Sequence, residues 1–78
     1  MEDRIKKIMA IVFEIDVNEI SNDSSADNIS SWDSLKHMNL VIALEEEFDI
    51  VIPDNEVSNM LSFELISHII NEAMQNNK

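Results

Sequence analysis

Apolar residues recur at helical spacing in several stretches of the chain, and polar segments separate these stretches. From Ile5 to Val12 an apolar residue returns every few positions, which predicts a helix over residues 3–15 with Asp3 as its N-cap. Residues 16–33 are rich in Ser, Asn and Asp, a composition that favours turns over regular structure. Apolar residues are nevertheless spaced through this segment, so we expect a long loop held against the core. These residues are Val17, Ile20, Ile29 and Trp32.

Asp33 is a suitable N-cap for a second helix, which the pattern predicts to extend to about Phe48. When its residues are placed at intervals of about 100°, two apolar groups appear on opposite sides. The group expected to face the core consists of Leu40, Val41, Leu44 and Phe48. The other group consists of Leu35, Met38 and Ile42. A chain this small cannot easily bury a helix on all sides, so we expect the second group to form an exposed contact surface.

Two further helices are expected after residues 49–53, a segment too short for a central strand. The third helix is predicted from Asp54 to Met60, with Val57 and Met60 turned inward. The fourth begins after Ser62, another N-cap candidate, and has an apolar stripe. This stripe consists of Leu65, Ile66, Ile69, Ile70 and Ala73.

Composition agrees with this pattern, because the 78 residues include no glycine and one proline, which argues against a tightly turned β protein. We predict an all-α fold: a small four-helix bundle with a short third helix and a long loop between helices 1 and 2. Residues 1–78 are expected to form one domain. There are no cysteines, which excludes disulfides and thiolate metal sites, and the sequence indicates no other metal site.

Sixteen acidic and five basic residues leave a net charge of -11, which argues against nucleic acid or a membrane as a partner. No Lys or Arg occurs between His37 and Asn77, so this half is expected to attract partners with basic docking surfaces. The alternative is that the acidity only keeps a small protein soluble. No signal peptide and no membrane-spanning segment is indicated. We therefore expect a cytoplasmic protein. We also expect it to be a monomer.

Two chemical alternatives find little support in the sequence. His37 and His68 are isolated, and no set of nucleophile, base and acid accompanies them, so we predict that the protein is not an enzyme. Residues 49–56 are acidic but lack the alternating ligands and the glycine of an EF-hand calcium loop.

The run Trp32-Asp33-Ser34-Leu35 is followed by Leu-Val-Ile-Ala-Leu-Glu-Glu-Glu-Phe at residues 40–48 and then by Ile-Pro-Asp at residues 52–54. Together these segments closely resemble the acyl carrier protein family, and the resemblance covers nearly the whole chain. It implies that Ser34 carries 4′-phosphopantetheine, which a phosphopantetheinyl transferase installs from coenzyme A. The position suits a phosphate, because unpaired N–H groups and the helix dipole favour an anion at a helix N-terminus.

The resemblance also implies a function and a set of site residues. The protein would hold an acyl or aminoacyl intermediate as a thioester and deliver it to enzymes of fatty-acid, polyketide or related biosynthesis. Asp33 would assist the transfer of the cofactor to Ser34. Partner enzymes would contact Leu35, Met38, Asn39, Ile42 and Glu46. An acyl chain would be sheltered by Leu44, Phe48, Ile52, Val57 and Met60, which must also hold the bundle together.

Several residues depart from the pattern of fatty-acid carriers. Trp32 replaces a small residue, Lys36 replaces a commonly acidic or neutral one, and Asn39 stands where Glu is frequent. These changes resemble carriers of specialised pathways more than the general carrier of lipid synthesis. His37 is expected at the surface or at the mouth of a pocket. The alternative is an unmodified, carrier-like interaction module that binds a partner through the exposed apolar face of helix 2.

Overall fold

The computed structural model describes residues 2–76 and contains four α-helices joined by loops. The helices are α1 (Glu2–Phe13), α2 (Ser34–Phe48), α3 (Asp54–Val57) and α4 (Phe63–Asn76). A 3-10 turn occupies Val17–Glu19 in the loop between α1 and α2. The described residues form no β-strand, so the prediction of an all-α bundle with a short third helix and a long first loop is confirmed.

The first helix begins at Glu2 and ends at Phe13, whereas the sequence predicts residues 3–15. Asp3 lies inside α1, so its predicted role as N-cap is wrong, and together with Glu2 it places negative charge in the first turn. At the other end Glu14 adopts a left-handed conformation, with φ of 58°, and this ends the helix. The N–H of Ile15 then donates to the C=O of Ala10 at 3.1 Å, which turns Ile15 toward the core.

The long loop is held against the core by most of its apolar residues, as predicted. Ile20, Ile29 and Trp32 are buried. Val17 is 40% exposed, so the prediction that it anchors the loop is wrong. It lies in the 3-10 turn, where the capping box of Asp16 directs the chain by polar contacts at the surface.

The same loop is attached through its backbone to the segment that precedes α4. The N–H of Ala26 donates to the C=O of Leu61, and the N–H of Phe63 donates to the C=O of Ser24, each at 2.9 Å. These bonds satisfy backbone groups that a packed loop would otherwise leave unpaired. They also hold the loop beside the segment that follows α3.

The end of α2 is shaped by one glutamate. The backbone C=O of Glu45 accepts a hydrogen bond from the N–H of Ile50 after Asp49 has turned the chain with a φ of 53°. The carboxylate of Glu45 accepts a second bond, from the N–H of Ile52, at 2.9 Å. Because the chain is held at both points, Ile50 and Ile52 are buried.

The third helix is shorter than predicted, because it ends at Val57 and not at Met60. The chain turns there, and the N–H of Met60 donates to the C=O of Val57 at 3.2 Å. Met60 is nevertheless fully buried, and Val57 packs against the core, so both side chains face inward as predicted.

The fourth helix begins where the sequence predicts. The Ser62 hydroxyl accepts a hydrogen bond from the N–H of Leu65 at 3.2 Å, which confirms the N-cap. Ile66, Ile69 and Ile70 are buried. Leu65 is 45% exposed, so its place in the apolar stripe is wrong. It precedes Ile66 by one residue, which rotates its side chain by about 100° away from the buried face.

One hydrophobic core joins α1, α2, α4 and the loops, and α3 contributes the half-buried Val57. Within residues 2–76 no helix is both long enough and apolar enough to cross a membrane. Over the same range, no group of three or more His, Asp or Glu side chains is arranged to hold a metal ion.

Candidate functional site

The N-terminus of α2 presents an exposed serine hydroxyl. Ser34 is the first residue of the helix, and Asp33 is its N-cap, as predicted. The Asp33 carboxylate accepts a hydrogen bond from the N–H of Lys36, and its C=O accepts one from the N–H of His37, both at 2.8 Å. The N–H groups of Ser34 and Leu35 belong to the first turn and have no partner within the helix.

This arrangement suits a phosphodiester on the Ser34 oxygen. Free N–H groups at the start of a 15-residue helix, together with its dipole, favour negative charge beside them. The first turn of α2 contains no acidic side chain of its own, and the Asp33 carboxylate is engaged by the cap. The residues present therefore fit the predicted group, while the assignment of Ser34 and Asp33 to it stays a prediction.

Trp32 and His37 form a hydrogen-bonded link next to Ser34, which we call the Trp32–His37 brace. The indole Nε1–H of Trp32 donates to Nδ1 of His37 at 3.1 Å, and Nε2 of His37 lies 2.8 Å from the C=O of Val57. Since Nδ1 is the acceptor, we assign the ring proton to Nε2, which donates to Val57. The ring of Phe13 supports Trp32 at a centroid distance of 4.6 Å. The brace thus joins the loop, α2 and α3.

A surface groove of about 440 Å³ lies beside Ser34, and we call it the Ser34 groove. Its lining residues are Ala26, Trp32, Asp33, Ser34, His37, Met38, Ser58 and Leu61. His37 therefore lies at a pocket, as expected from the sequence. The groove itself was not predicted, because its walls come from the loop, α2 and the segment after α3. The signal in the sequence was the presence of Trp32 and His37 on either side of the Asp-Ser-Leu motif.

The second apolar face of α2 is exposed, which confirms that part of the prediction. Leu35, Met38 and Ile42 are 69%, 49% and 52% exposed. The polar residues predicted beside them, Asn39 and Glu46, are exposed as well. An apolar centre with a polar rim is the usual composition of a contact surface, while the role of these residues in partner binding stays a prediction.

The three consecutive glutamates of α2 have different environments. Glu45 binds the N–H of Ile52, and Glu47 pairs with Arg4, whose Nη2 lies 2.8 Å from its carboxylate. Glu46 takes part in no hydrogen bond or ion pair that the structure describes. Of the three, Glu46 is therefore the carboxylate that is most available to a basic partner.

Lys36 is also engaged within the protein. It donates a hydrogen bond to the carboxylate of Glu14, and this bond together with the lysine charge lowers the pKa of Glu14. Lys36 thereby ties the start of α2 to the end of α1. The positive charge of Lys36 near the start of α2 is therefore paired with a carboxylate just after the end of α1.

The residues predicted to line an acyl pocket belong to the packed core. Leu44 and Met60 are fully buried, Phe48 and Ile52 are nearly so, and Val57 is half-buried. None of the five lines any of the three grooves that the structure describes. Their structural role is thus evident, and a role in sheltering an acyl chain stays a prediction.

Comparison with known proteins identifies the family. The family model of the phosphopantetheine attachment site matches residues 3–69. The chain belongs to this family. A holo acyl carrier protein from Geobacter metallireducens has a similar structure, with a TM-score of 0.84 and 27% sequence identity over 96% of this chain and 86% of that one. A chain from the structure of the ishigamide ketosynthase/chain length factor gives a TM-score of 0.77 and 31% identity, over 95% and 93% of the respective chains.

These comparisons confirm the resemblance to acyl carrier proteins and the small helical bundle. They also support 4′-phosphopantetheine as the prosthetic group. Proteins of this family are carriers and not catalysts, so the chain has a carrier role in biosynthesis and is not an enzyme.

Proposed function

We propose that Ser34 is the attachment point of 4′-phosphopantetheine and that the carrier holds an acyl or aminoacyl group there as a thioester. The observation that carries this proposal is the exposed Ser34 hydroxyl at the capped N-terminus of α2. The prosthetic group supplies the thiol, which a chain without cysteine lacks. Asp33 holds the helix start in place and so presents the hydroxyl to a phosphopantetheinyl transferase.

The other serines support this choice by their surroundings. Ser24 and Ser67 are buried. Several hydroxyls take part in local hydrogen bonds that stabilise turns and helix ends: those of Ser21, Ser25, Ser31, Ser58 and Ser62. Among the described residues, this leaves Ser30 and Ser34 as exposed serines whose hydroxyls make none of the described hydrogen bonds. Ser30 lies in a turn, whereas Ser34 begins a long helix whose free N–H groups favour a phosphate.

The exposed face of α2 is the proposed docking surface for partner enzymes. Leu35, Met38 and Ile42 form its apolar centre, and Asn39 and Glu46 lie beside them. A partner with a basic rim around an apolar patch would complement this surface. The partners we propose are the transferase and the loading and condensing enzymes of fatty-acid, polyketide or related synthesis. The similarity to a chain of a ketosynthase/chain length factor structure supports the polyketide class.

The test is the intact mass of the protein after incubation with coenzyme A, magnesium and a broad-specificity phosphopantetheinyl transferase. We expect one added phosphopantetheine on the wild type and on Ser30→Ala, and none on Ser34→Ala. Addition to Ser34→Ala would show that the site is wrong. If the transferase modifies a reference carrier but not this one, and protein from its native cell is also unmodified, the chain acts as an unmodified interaction module.

A further inference from the structure

We propose that a second docking site lies between α4 and residues 51–56, in a groove of about 450 Å³ that binds an arginine-bearing segment of a partner protein. We call it the α3–α4 groove. It shares no lining residue with the exposed face of α2, so both surfaces can be occupied at the same time. The use of this site by a carrier rests on the proposed function, whereas the binding itself does not.

The surface of the groove is largely apolar. Val51 is 81% exposed, more than any other large hydrophobic residue that the structure describes. Its neighbours Ile50 and Ile52 are buried, so the Val51 side chain is held outward by a segment that is itself anchored in the core. The other apolar residues that line the groove are Pro53, Ile69 and Ala73.

The rim of the groove is acidic. Glu56 of α3 and Glu72 of α4 line it from opposite walls, and none of its lining residues is basic. The Glu56 carboxylate takes part in no side-chain hydrogen bond or ion pair that the structure describes. One carboxylate oxygen of Glu72 lies 3.3 Å from Nε2 of His68, and such an exposed pair contributes little. Both carboxylates therefore remain open to an external cation.

Arginine is the side chain that fits both features of the groove. Its aliphatic stem covers apolar surface while its charged head stays at the rim. The guanidinium presents several N–H donors in a planar fork, which pairs with carboxylates through two bonds at once. It therefore suits a site with two carboxylates better than the compact ammonium of lysine does.

A second copy of this chain is a poor occupant. Each copy carries a net charge of -11, so two copies repel each other. Arg4, the only arginine of the sequence, is bound to Glu47. Lys36 pairs with Glu14 in the same way. The charge of the groove is therefore complementary to a different protein, one with an exposed arginine.

Hydrogen bonds hold the walls of the groove in place before a partner binds. The N–H of Ile52 donates to the carboxylate of Glu45 at 2.9 Å, which ties the first wall to α2. The N–H of Glu56 donates to the C=O of Pro53 at 2.9 Å at the start of α3. The opposite wall is part of a 14-residue helix. A preformed site loses little conformational freedom on binding.

A second docking site allows a carrier to remain with an assembly of enzymes. A partner bound at the α3–α4 groove keeps the face of α2 at a high effective concentration near the other enzymes of that assembly. The α2 face can then leave one enzyme and bind the next without loss of the carrier to solution.

The test is a titration of the isotope-labelled apo protein with the capped tripeptide acetyl-Leu-Arg-Leu-amide, followed by amide chemical shifts. Salt at about 150 mM keeps the Debye length at about 8 Å and so suppresses long-range attraction. We expect saturable shifts at Val51, Glu56, Ile69 and Ala73. The same peptide with citrulline, an uncharged analogue of arginine, should bind about fivefold more weakly, which is the scale of an exposed ion pair. Shifts confined to the α2 face, or no saturable shifts at the groove, would overturn the inference.

Two matched pairs of variants separate the groove from general surface effects. Glu72→Gln should weaken peptide binding about fivefold, and Glu64→Gln, which changes the charge of the same helix equally outside the groove, by less than about twofold. Val51→Gln should also weaken binding. Ile11→Gln should not, although Ile11 is 77% exposed, because it lies on α1. Equal weakening within either pair would contradict the proposed site.

The outcome is independent of attachment at Ser34. Ser34→Ala should bind the peptide as the wild type does, and Glu72→Gln should accept the cofactor at the rate of the wild type. Absence of added mass on the wild type would refute attachment alone, and a failed titration would refute the groove alone. Loss of cofactor loading in Glu72→Gln would place the groove within the surface that the transferase contacts and would contradict a separate second site.

Discussion

The two faces of α2 carry the same kinds of side chain and have opposite environments. Leu44 is fully buried, whereas Ile42, two residues earlier, is about half exposed. One face supports the core, and the other leaves Leu35, Met38 and Ile42 at the surface. Hydrophobicity alone therefore does not determine burial in this helix. The two faces differ in which way they point: one points toward the neighbouring elements of the bundle and the other toward solvent.

Two ion pairs lie along the border between the faces. Lys36 and Glu47 lie on the side of α2 toward α1, where they pair with Glu14 and Arg4. The Arg4 guanidinium also contacts the ring of Phe48, with 4.5 Å to the ring centroid. Lys36 lies near the start of α2 and Glu47 near its end. Their contacts with Glu14 and Arg4 therefore oppose a rotation of α2 about its axis that would bury the exposed face.

The largest expected effect is a difference in stability between the faces. Leu44→Ala should lower the free energy of unfolding by about 2–5 kcal/mol, because it leaves a cavity in a packed core. Ile42→Ala should change it by no more than about 0.5 kcal/mol. Urea unfolding followed by circular dichroism measures both values. A large loss for Ile42→Ala would mean that the second face is buried in solution.

The second prediction concerns the docking function of the exposed face. Leu35→Ala should lower kcat/KM for cofactor loading by the transferase about tenfold, which is the scale of a contact worth about 1.4 kcal/mol. Its unfolding free energy should remain close to that of the wild type. Leu65→Ala is the control, because it removes an equally large exposed side chain from α4. An equal loss of kcat/KM in both variants would contradict a specific docking face on α2.

The smallest expected effect concerns the border between the faces. The pKa of Glu14 is lowered by Lys36, so the pair stabilises the fold at neutral pH. This contribution should be lost as the pH falls from the ordinary glutamate pKa through the lowered one. Lys36→Met should therefore reduce the Tm slightly at neutral pH and not at all below both values, and the pKa of Glu14 measured by NMR should rise toward normal.

Lys7→Met is the control for that titration. Lys7 is exposed on α1 and takes part in none of the ion pairs that the structure describes, yet its loss changes the net charge equally. If Lys7→Met shifts the pKa of Glu14 as much as Lys36→Met does, the general field of the protein is responsible and the contact is not.

Much of the fold could be predicted because its signals are local. Asp33 and Ser62 are caps that act within one turn of their own helix, and both were identified from residue type and position. The errors arose where a neighbour decides the outcome. Leu65 fits the apolar pattern of α4 but does not lie on the buried face of that helix. Val17 is exposed because it lies in the 3-10 turn that the capping box of Asp16 stabilises at the surface.

The sequence by itself determined the all-α class, the helix that carries Ser34, its cap and the existence of two apolar faces, because periodicity and capping depend on neighbours within a few residues. Only the tertiary structure decided that Glu46, and not Glu45 or Glu47, remains available to a basic partner. It also decided where the groove beside Ser34 lies. Trp32 and His37 are close in sequence, but Val57, which completes the brace, is 20 residues beyond His37. Such contacts form only when the loop, α2 and α3 pack together, and no local pattern encodes that packing.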